Sequence, residues 1–255
     1  MNILDLFRLD TKVALVTGAG RGLGQAMSVG LAEAGADIAG LYRTRCEETQ
    51  AQVETLGRRF LPVHCDLREA DVGRLSEMVD EVVCELGGLD ILVHNAGIIR
   101  RAPALRFSEQ DWDDVIQVNS KALFFLSQAA ARVMAQRGGG KIIHIASMLS
   151  FQGGILVPPY TAAKSGVAGL TRAMANEWAS KNINVNAIAP GYMATDNTAA
   201  LRTDPGRNES ILARIPAGRW GETAELKGTV VFLASAAADY MHGAIVPVDG
   251  GWLAR

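Results

Sequence analysis

Short runs of apolar, β-branched residues alternate along the chain with longer segments in which apolar positions recur at helical spacing. This alternation is typical of βαβ units, in which helices join parallel strands. Most of the short runs are almost entirely apolar, and such strands belong in sheets that are covered on both faces. The pattern therefore predicts a doubly wound α/β fold, a seven-stranded parallel sheet flanked by helices on both faces.

The strands are predicted at 13–17, 36–42, 60–65, 90–94, 141–146, 183–189 and 244–248. The helices are predicted at 22–34, 46–57, 70–86, 110–136, 160–180 and 222–235. No linker rich in Pro, Gly or Ser divides the 255 residues, so we predict a single domain over residues 1–255. The polar segment 194–210 lacks an apolar period and contains Pro205 and Gly206, and we expect it to form a mobile substrate lid.

The formal net charge is −2 with both signs interspersed, which argues against a nucleic-acid or membrane partner and favours a small-molecule substrate. Residues 1–12 carry Asp5, Arg8 and Asp10. Because no uncharged apolar run approaches the ~20 residues that span a bilayer, we predict a cytoplasmic protein. The four histidines and three cysteines lack metal-ligand spacing, so we predict no metal site.

The first predicted strand runs into the turn TGAGRGLG at 17–24, which opens the first predicted helix. Gly18, Gly22 and Gly24 allow a sharp turn and the close approach of a pyrophosphate to the helix N-terminus, where free N–H groups favour an anion. A tight turn without a ligand would explain the glycines alone. The strand-to-helix context favours nucleotide binding.

The end of the second predicted strand, AGLYRTR, indicates which nucleotide is bound. An acidic residue usually meets a free ribose 2′-OH at this point, whereas arginine meets a 2′-phosphate. Tyr42 stands where the acid is expected, Arg43 follows it, and Arg21 lies in the glycine turn. Two guanidinium groups and no carboxylate favour NADP, although solvated loop arginines would give the same pattern.

Tyr160 and Lys164 lie one helical turn apart in VPPYTAAKSG, so both side chains can project into one cleft. A neighbouring cation lowers the pKa of an acid, and we expect Lys164 to make Tyr160 a usable acid or base near neutrality. The pair alone is weak evidence. Ser147, just past the fifth predicted strand, lies at the sheet edge where ligands bind and could hold a carbonyl oxygen.

These motifs, together with NAG at 95–97 and PGYMAT at 190–195, resemble the classical short-chain dehydrogenases over nearly the whole chain. The resemblance implies a Rossmann fold with Tyr160 as general acid/base and Ser147 orienting the substrate oxygen. It also implies that Lys164 binds the nicotinamide ribose and that Asn119 supports a water of the proton relay. His94 departs from the family, which often has a second asparagine there.

The predicted cofactor contacts combine the glycine turn, the arginines and the positions that the family implies. They are Gly18, Arg21, Gly22, Leu23, Gly24, Arg43, Asp66, Leu67, Asn95, Ala96, Gly97, Lys164, Pro190, Gly191 and Thr195. The segments IASMLSFQGG, RIPAGRWG and VDGGWLAR further resemble the family members that act on 2-deoxy-gluconate and 2-keto-3-deoxy-gluconate. That branch often prefers NAD, so NAD stays possible beside NADP.

A sugar acid needs a cation for its carboxylate and polar groups for its hydroxyls. The candidates are Arg100, Arg101, Gln152, Asn197 and Arg202. A 3-oxoacyl thioester reductase of the same fold is the alternative enzyme. A non-catalytic nucleotide sensor is the alternative from another class, although such a protein would be expected to lack Ser147, Tyr160 or Lys164.

The helix around Tyr160 carries a second stripe of small residues, Ala162, Gly166, Gly169 and Ala173, beside the apolar stripe that can cover the sheet. Such a face usually marks an interface. With the apolar C-terminus GGWLAR as a second patch, we predict a homotetramer, or a dimer if that patch does not associate.

Overall fold

The structure, a computed structural model, describes residues 2–255, and these form one parallel sheet in the order β3-β2-β1-β4-β5-β6-β7. The strand bounds are β1 Val13–Thr17, β2 Asp37–Tyr42, β3 Phe60–His64, β4 Ile91–His94, β5 Gly140–Ile145, β6 Ile183–Pro190 and β7 Ile245–Val248. The chain winds outward from β1 in one direction and from β4 in the other. The crevice for a ligand therefore lies at the carboxyl ends of β1 and β4. The predicted sheet is confirmed.

Helices cover both faces of this sheet. Within the described residues they are α1 Gly22–Glu33, α2 Glu47–Thr55, α3 Val72–Leu86, α4 Glu109–Ile116, α5 Ala122–Gln136, α6 Pro158–Trp178, α7 Ala199–Thr203, α8 Pro205–Leu212 and α9 Lys227–Ala234. The apolar strands explain this layering, because successive side chains point to opposite faces. Leu15 packs in the cluster formed with α3 and α5, and the next residue, Val16, packs in the cluster formed with α1 and α9.

Two predicted segments differ from the structure. The helix expected over 110–136 is divided by a π-helical turn at Gln117–Lys121, whose Asn119 side chain binds the backbone of Ile98 on both its N–H and its carbonyl. The segment 194–210, expected to be irregular, contains a 3₁₀ turn and the helices α7 and α8. Asp204 caps α8 by accepting the Arg207 N–H at 3.0 Å. Pro205 begins α8, a position that tolerates proline because its missing N–H would have no partner there.

The described helices include none that is long and apolar enough to cross a membrane.

Candidate active site

The glycine turn brings backbone close to backbone at the carboxyl end of β1. Gly18 and Gly22 have positive φ angles of 68° and 59°, which only glycine adopts without strain. A Cβ at Gly24 would lie 2.1 Å from the Gly18 carbonyl oxygen, so α1 can approach the turn only with glycine at this position. Asn95 completes the turn, because its Nδ2 donates to the Thr17 carbonyl at 3.0 Å.

A cleft of about 1270 Å³ opens at this edge of the sheet, and most of the predicted cofactor residues line it. Those that line it are Gly18, Arg21, Leu23, Arg43, Asp66, Leu67, Asn95, Ala96, Gly97, Lys164, Pro190, Gly191 and Thr195. Gly22 and Gly24 lie outside the lining. They shape the turn by their backbone conformation and by the space that their missing side chains leave.

The nucleotide end of the cleft carries the two arginines expected to read a 2′-phosphate. Arg43 is exposed, and its backbone carbonyl is held by the His64 ring at 3.0 Å. Arg21 instead reaches across the cleft and forms an ion pair with Asp196 at 2.7 Å. The hydrogen bond from Arg68 lowers the pKa of the Asp66 carboxyl below its ordinary value and keeps it ionised at the cleft wall.

The catalytic candidates converge at the middle of the cleft. Tyr160 lies in the first turn of α6, and the Nζ of Lys164 lies 5.7 Å from the centroid of its ring. Lys164 is buried and donates to the Ile145 carbonyl at 2.5 Å, and burial lowers its pKa to about 8. Ser147 follows β5 and lines the same cleft.

The predicted lowering of the Tyr160 pKa by Lys164 is wrong for this arrangement. Burial raises the pKa of Tyr160 above its ordinary value, against the opposing effects of the Ser147 hydroxyl and the Arg101 charge. The physical reason is that the protein packed around the half-buried phenol disfavours its charged form, while the Lys164 ammonium is directed to the Ile145 carbonyl.

Ser150 was missed by the sequence reasoning, although it holds this part of the site together. Its hydroxyl donates to the Lys164 carbonyl at 2.6 Å and accepts the Ser147 N–H at 3.3 Å. The hydroxyl therefore connects the turn after β5 to α6. The signal in the sequence is the spacing of the two serines, which forms a capping box over a single 3₁₀ turn.

Asn119 lies behind the cleft and does not line it. His94 and His144 are neighbours on β4 and β5 and are buried. The His144 ring is placed between Ser127 Oγ at 3.1 Å and Thr171 Oγ1 at 2.9 Å, whereas His94 Nε2 has no partner among residues 2–255. Burial lowers the pKa of both rings, that of His144 to about 3, and keeps both neutral.

The substrate candidates differ in whether they line the cleft and in whether their side chains are already paired. Arg101, Gln152 and Asn197 line the cleft, and Arg101 donates to the Asn197 carbonyl at 3.4 Å. Arg100 also lines it, but its guanidinium forms ion pairs with Asp111 and Asp114. The Arg202 guanidinium lies outside the lining and donates to the Thr195 carbonyl at 3.2 Å.

Trp252, in the C-terminal patch expected to join subunits, forms part of the cleft wall. Trp252 is 4% exposed, contacts Tyr192 edge-on with ring centroids 4.8 Å apart, and packs in one cluster with Met148 and Ile211. The sequence reasoning also missed the neighbouring lining residues of this end, which are Arg207, Ser210 and Arg214. Their segment resembled a loop, and only the tertiary structure brings it to the C-terminus.

The comparison with protein families agrees with this geometry, since residues 12–206 match the model described as short chain dehydrogenase. The chain belongs to the short-chain dehydrogenase family. The family that the motifs predict is thereby confirmed. A curated family member, the 2-dehydro-3-deoxy-D-gluconate 5-dehydrogenase of Escherichia coli (strain K12), is 61% identical over 99% of this chain and 100% of its own. The enzyme of the same name from Bacillus subtilis (strain 168) is 54% identical over 98% of each chain.

Solved members of the family have the same fold. A protein from Agrobacterium tumefaciens with bound NADP is 55% identical, with a TM-score of 0.92 over 98% of this chain and 100% of its own. A gluconate 5-dehydrogenase from Burkholderia cenocepacia J2315, in complex with NADP and tartrate, is 40% identical, with a TM-score of 0.94 over the whole of both chains.

Proposed function

We propose that this protein is an NADP-dependent dehydrogenase that interconverts the C5 hydroxyl of 2-dehydro-3-deoxy-D-gluconate and the corresponding ketone. The broader activity, NAD(P)-dependent oxidoreduction of a CH–OH group in a sugar acid, follows from the family and from the names of its close relatives. The observation that carries the proposal is the meeting of Ser147, Tyr160 and Lys164 in a cleft that begins at the glycine turn.

We infer the roles of the chain's own residues from this placement and from the family. The nicotinamide, when bound, supplies the acceptor or donor of hydride. Ser147 holds the reacting oxygen, and Tyr160 removes its proton in oxidation or returns it in reduction. Lys164 binds the ribose beside the Tyr160 ring. Asn119 supports a water of the proton relay from its π-helical turn. Its side-chain amide holds this turn in place by binding the backbone of Ile98.

NADP is the proposed cofactor, with NAD possible. Arg43 lies at the nucleotide end of the cleft without an ion-pair partner in residues 2–255, which suits a 2′-phosphate. Both solved relatives described above contain NADP. Arg21 reaches the phosphate in this proposal only if it exchanges its pairing with Asp196.

An acidic substrate suits the charge of the cleft. Nine cationic side chains line its described part, namely Arg21, Arg43, Arg45, Arg68, Arg100, Arg101, Lys164, Arg207 and Arg214. Two carboxylates line it, Asp66 and Asp196, and each is already paired with an arginine. This excess of positive charge attracts an anionic cofactor and an anionic substrate into the same cleft.

The proposed assembly is a homotetramer of cytoplasmic chains, each a single catalytic unit over residues 1–255 with a lid near 194–210. The small residues Ala162, Gly166 and Gly169 are exposed on α6, which supports pairing of this helix with a second copy. Because Trp252 is buried, the second interface of the tetramer would rest on the rest of the C-terminal patch, and a dimer through α6 is the fallback. Light scattering at micromolar concentration tests this, and a mass near 27.1 kDa would contradict it.

The decisive experiment is a matrix of substrates and cofactors on the purified protein. We expect the highest kcat/KM with 2-dehydro-3-deoxy-D-gluconate and NADP⁺, with product analysis placing the ketone at C5. Preferred turnover of 3-oxoacyl thioesters with NADPH would assign the protein to the alternative enzyme class. Cofactor binding without turnover of any substrate would favour a nucleotide sensor.

A further inference from the structure

Arg214 follows α8 and projects into the cleft at the end away from the glycine turn. The carbon atom of its guanidinium lies 4.1 Å from the centroid of the Trp252 ring, and its Nη2 donates to Gln152 Oε1 at 3.3 Å. Across the described chain, no carboxylate forms an ion pair with it. The guanidinium is therefore positioned by neutral groups, and its charge is not neutralised by a carboxylate.

The surface on which Arg214 rests is fixed by the C-terminal turn. Gly250 and Gly251 have positive φ angles of 65° and 90°, and the Asp249 carboxylate accepts the N–H groups of Gly251 and Leu253 at 2.9 Å each. The turn directs the Trp252 indole inward, where it is buried. A guanidinium stacked on an aromatic face keeps its N–H edge available for bidentate contact with a planar anion.

Other arginines of the cleft are already committed or lack such support. Arg21 pairs with Asp196, and Arg100 pairs with Asp111 and Asp114. Arg101 lines the cleft and donates to the Asn197 carbonyl at 3.4 Å. Arg207 lines the cleft from α8, and within residues 2–255 no aromatic ring or side-chain hydrogen bond positions its guanidinium.

The proposed substrate must be held at two separate groups, the reacting C5 hydroxyl and the C1 carboxylate. With C5 at Tyr160, the C1 carboxylate lies at the other end of the carbon chain. Met148, the residue after Ser147, packs in the same cluster as Trp252, so the wall that carries Arg214 continues directly from the reacting centre. We propose that Arg214, supported by Trp252 and Gln152, binds the C1 carboxylate and makes the enzyme specific for sugar acids over neutral sugars. This inference rests on the proposed function.

The test compares an acid with its neutral counterpart. The kcat/KM of wild type and of Arg214→Gln is measured with 2-dehydro-3-deoxy-D-gluconate and with 3-deoxy-D-fructose, in which a CH₂OH group replaces the carboxylate. We expect the variant to lose about 10- to 100-fold on the acid, mainly through KM, because a hydrogen-bonded charge pair contributes ~1.5–3 kcal/mol. Its activity on the neutral sugar should stay close to that of wild type.

Three further variants separate the contact from a general effect of charge. Arg207→Gln removes one arginine charge from the same cleft, and we expect a loss of less than about fivefold, because no ring or side-chain hydrogen bond of the described residues positions the Arg207 guanidinium. Arg214→Lys should fall between wild type and Arg214→Gln, because lysine keeps the charge but loses the planar fork. Equal losses in Arg207→Gln and Arg214→Gln would overturn the proposal. So would a loss of the preference for the acid in Arg101→Gln with that preference retained in Arg214→Gln.

A binding measurement keeps the proposal independent of turnover. In the presence of NADPH, we expect D-gluconate to raise the Tm of wild type more than D-glucitol does, and Arg214→Gln to lose this difference. If wild type is inactive on the sugar acid but Arg214→Gln loses this Tm difference, the proposed function is contradicted and Arg214 is still a carboxylate site. A variant that keeps the difference would refute the role of Arg214 whatever the substrate.

Discussion

The nucleotide end of the cleft is built from backbone, whereas the opposite end is built from side chains. At the nucleotide end, the turn after β1 approaches α1 so closely that Gly24 leaves no room for a Cβ, and Asn95 binds the turn through a backbone carbonyl. At the other end, Arg214 rests on Trp252, and Gln152 accepts its hydrogen bond.

The difference corresponds to two kinds of recognition. A pyrophosphate is the same in every nucleotide cofactor, and backbone N–H groups at a helix N-terminus bind it without any particular side chain. A substrate is distinguished from its analogues by charge and hydroxyl pattern, which only side chains can match. Substitutions at the nucleotide end should therefore weaken cofactor binding through the backbone, and substitutions at the other end should change substrate selectivity through lost side-chain contacts.

Tyr160 lies between the two ends, and its replacement should have the largest effect. We expect Tyr160→Phe to lower kcat by at least ~10²-fold through loss of the general acid/base, while the dissociation constant for NADPH changes little. Steady-state kinetics and a fluorescence titration with NADPH measure the two quantities. Turnover near that of wild type would remove Tyr160 from the proton transfer.

Gly24→Ala should damage the nucleotide end through its backbone. The added Cβ would meet the Gly18 carbonyl oxygen at 2.1 Å and the Gly18 carbonyl carbon at 2.7 Å. We expect a loss of ~1–3 kcal/mol in unfolding free energy and, because the turn must open, at least ~10-fold weaker NADPH binding. Gly228→Ala in α9 is the matched control, since no atom lies within 4 Å of its added Cβ. Equal behaviour of the two variants would show that the turn is not restrictive.

Arg43→Ala tests which of the two arginines at the nucleotide end chooses between cofactors, since Arg43 has no ion-pair partner among residues 2–255. We expect kcat/KM with NADPH to fall ~10- to 100-fold and kcat/KM with NADH to be retained, because only NADPH carries the 2′-phosphate. Arg21→Ala should have a smaller effect, since Arg21 is paired with Asp196. If wild type used NADH as well as NADPH and Arg43→Ala changed neither, both arginines would be surface charges.

His94→Asn should have the smallest effect and should appear only in acid. Burial lowers the pKa of His94 and His144, so below about pH 6.5 the unfolded chain binds protons that the folded chain does not. The stability of the folded chain is therefore unaffected by these two histidines above their ordinary pKa and falls as the pH drops below it. For His144 the fall continues until the pH reaches its folded-state pKa of about 3.

Replacing His94 should reduce the fall of the unfolding free energy below pH 6.5 by up to ~1.4 kcal/mol per pH unit. Urea unfolding at pH 7.5, 6.5 and 5.5 measures the slope, with the exposed His242→Asn as the matched control. An unchanged slope in His94→Asn would mean that His94 is not kept neutral by the fold.

The order of residues was enough to predict the parallel sheet, the glycine turn and the group formed by Ser147, Tyr160 and Lys164. These features depend on short-range relations. Strand periodicity has a repeat of two residues, a tight turn needs glycine at fixed positions, and residues four apart share a helix face. Such relations are visible in the order of residues before any packing is known.

The ion pairs of the arginines, the direction of the Tyr160 pKa shift and the place of Trp252 depend on how distant segments pack together. Arg21 and its partner Asp196 are separated by 175 residues, and the C-terminal turn lies beside α8 because β7, which precedes the turn, pairs with β6 in the sheet. The pKa of a buried group is set by how much water the surrounding packing removes, and that packing comes from distant segments. The sequence therefore predicted the chemical class of the cleft, and the fold determines which of its arginines stay unpaired.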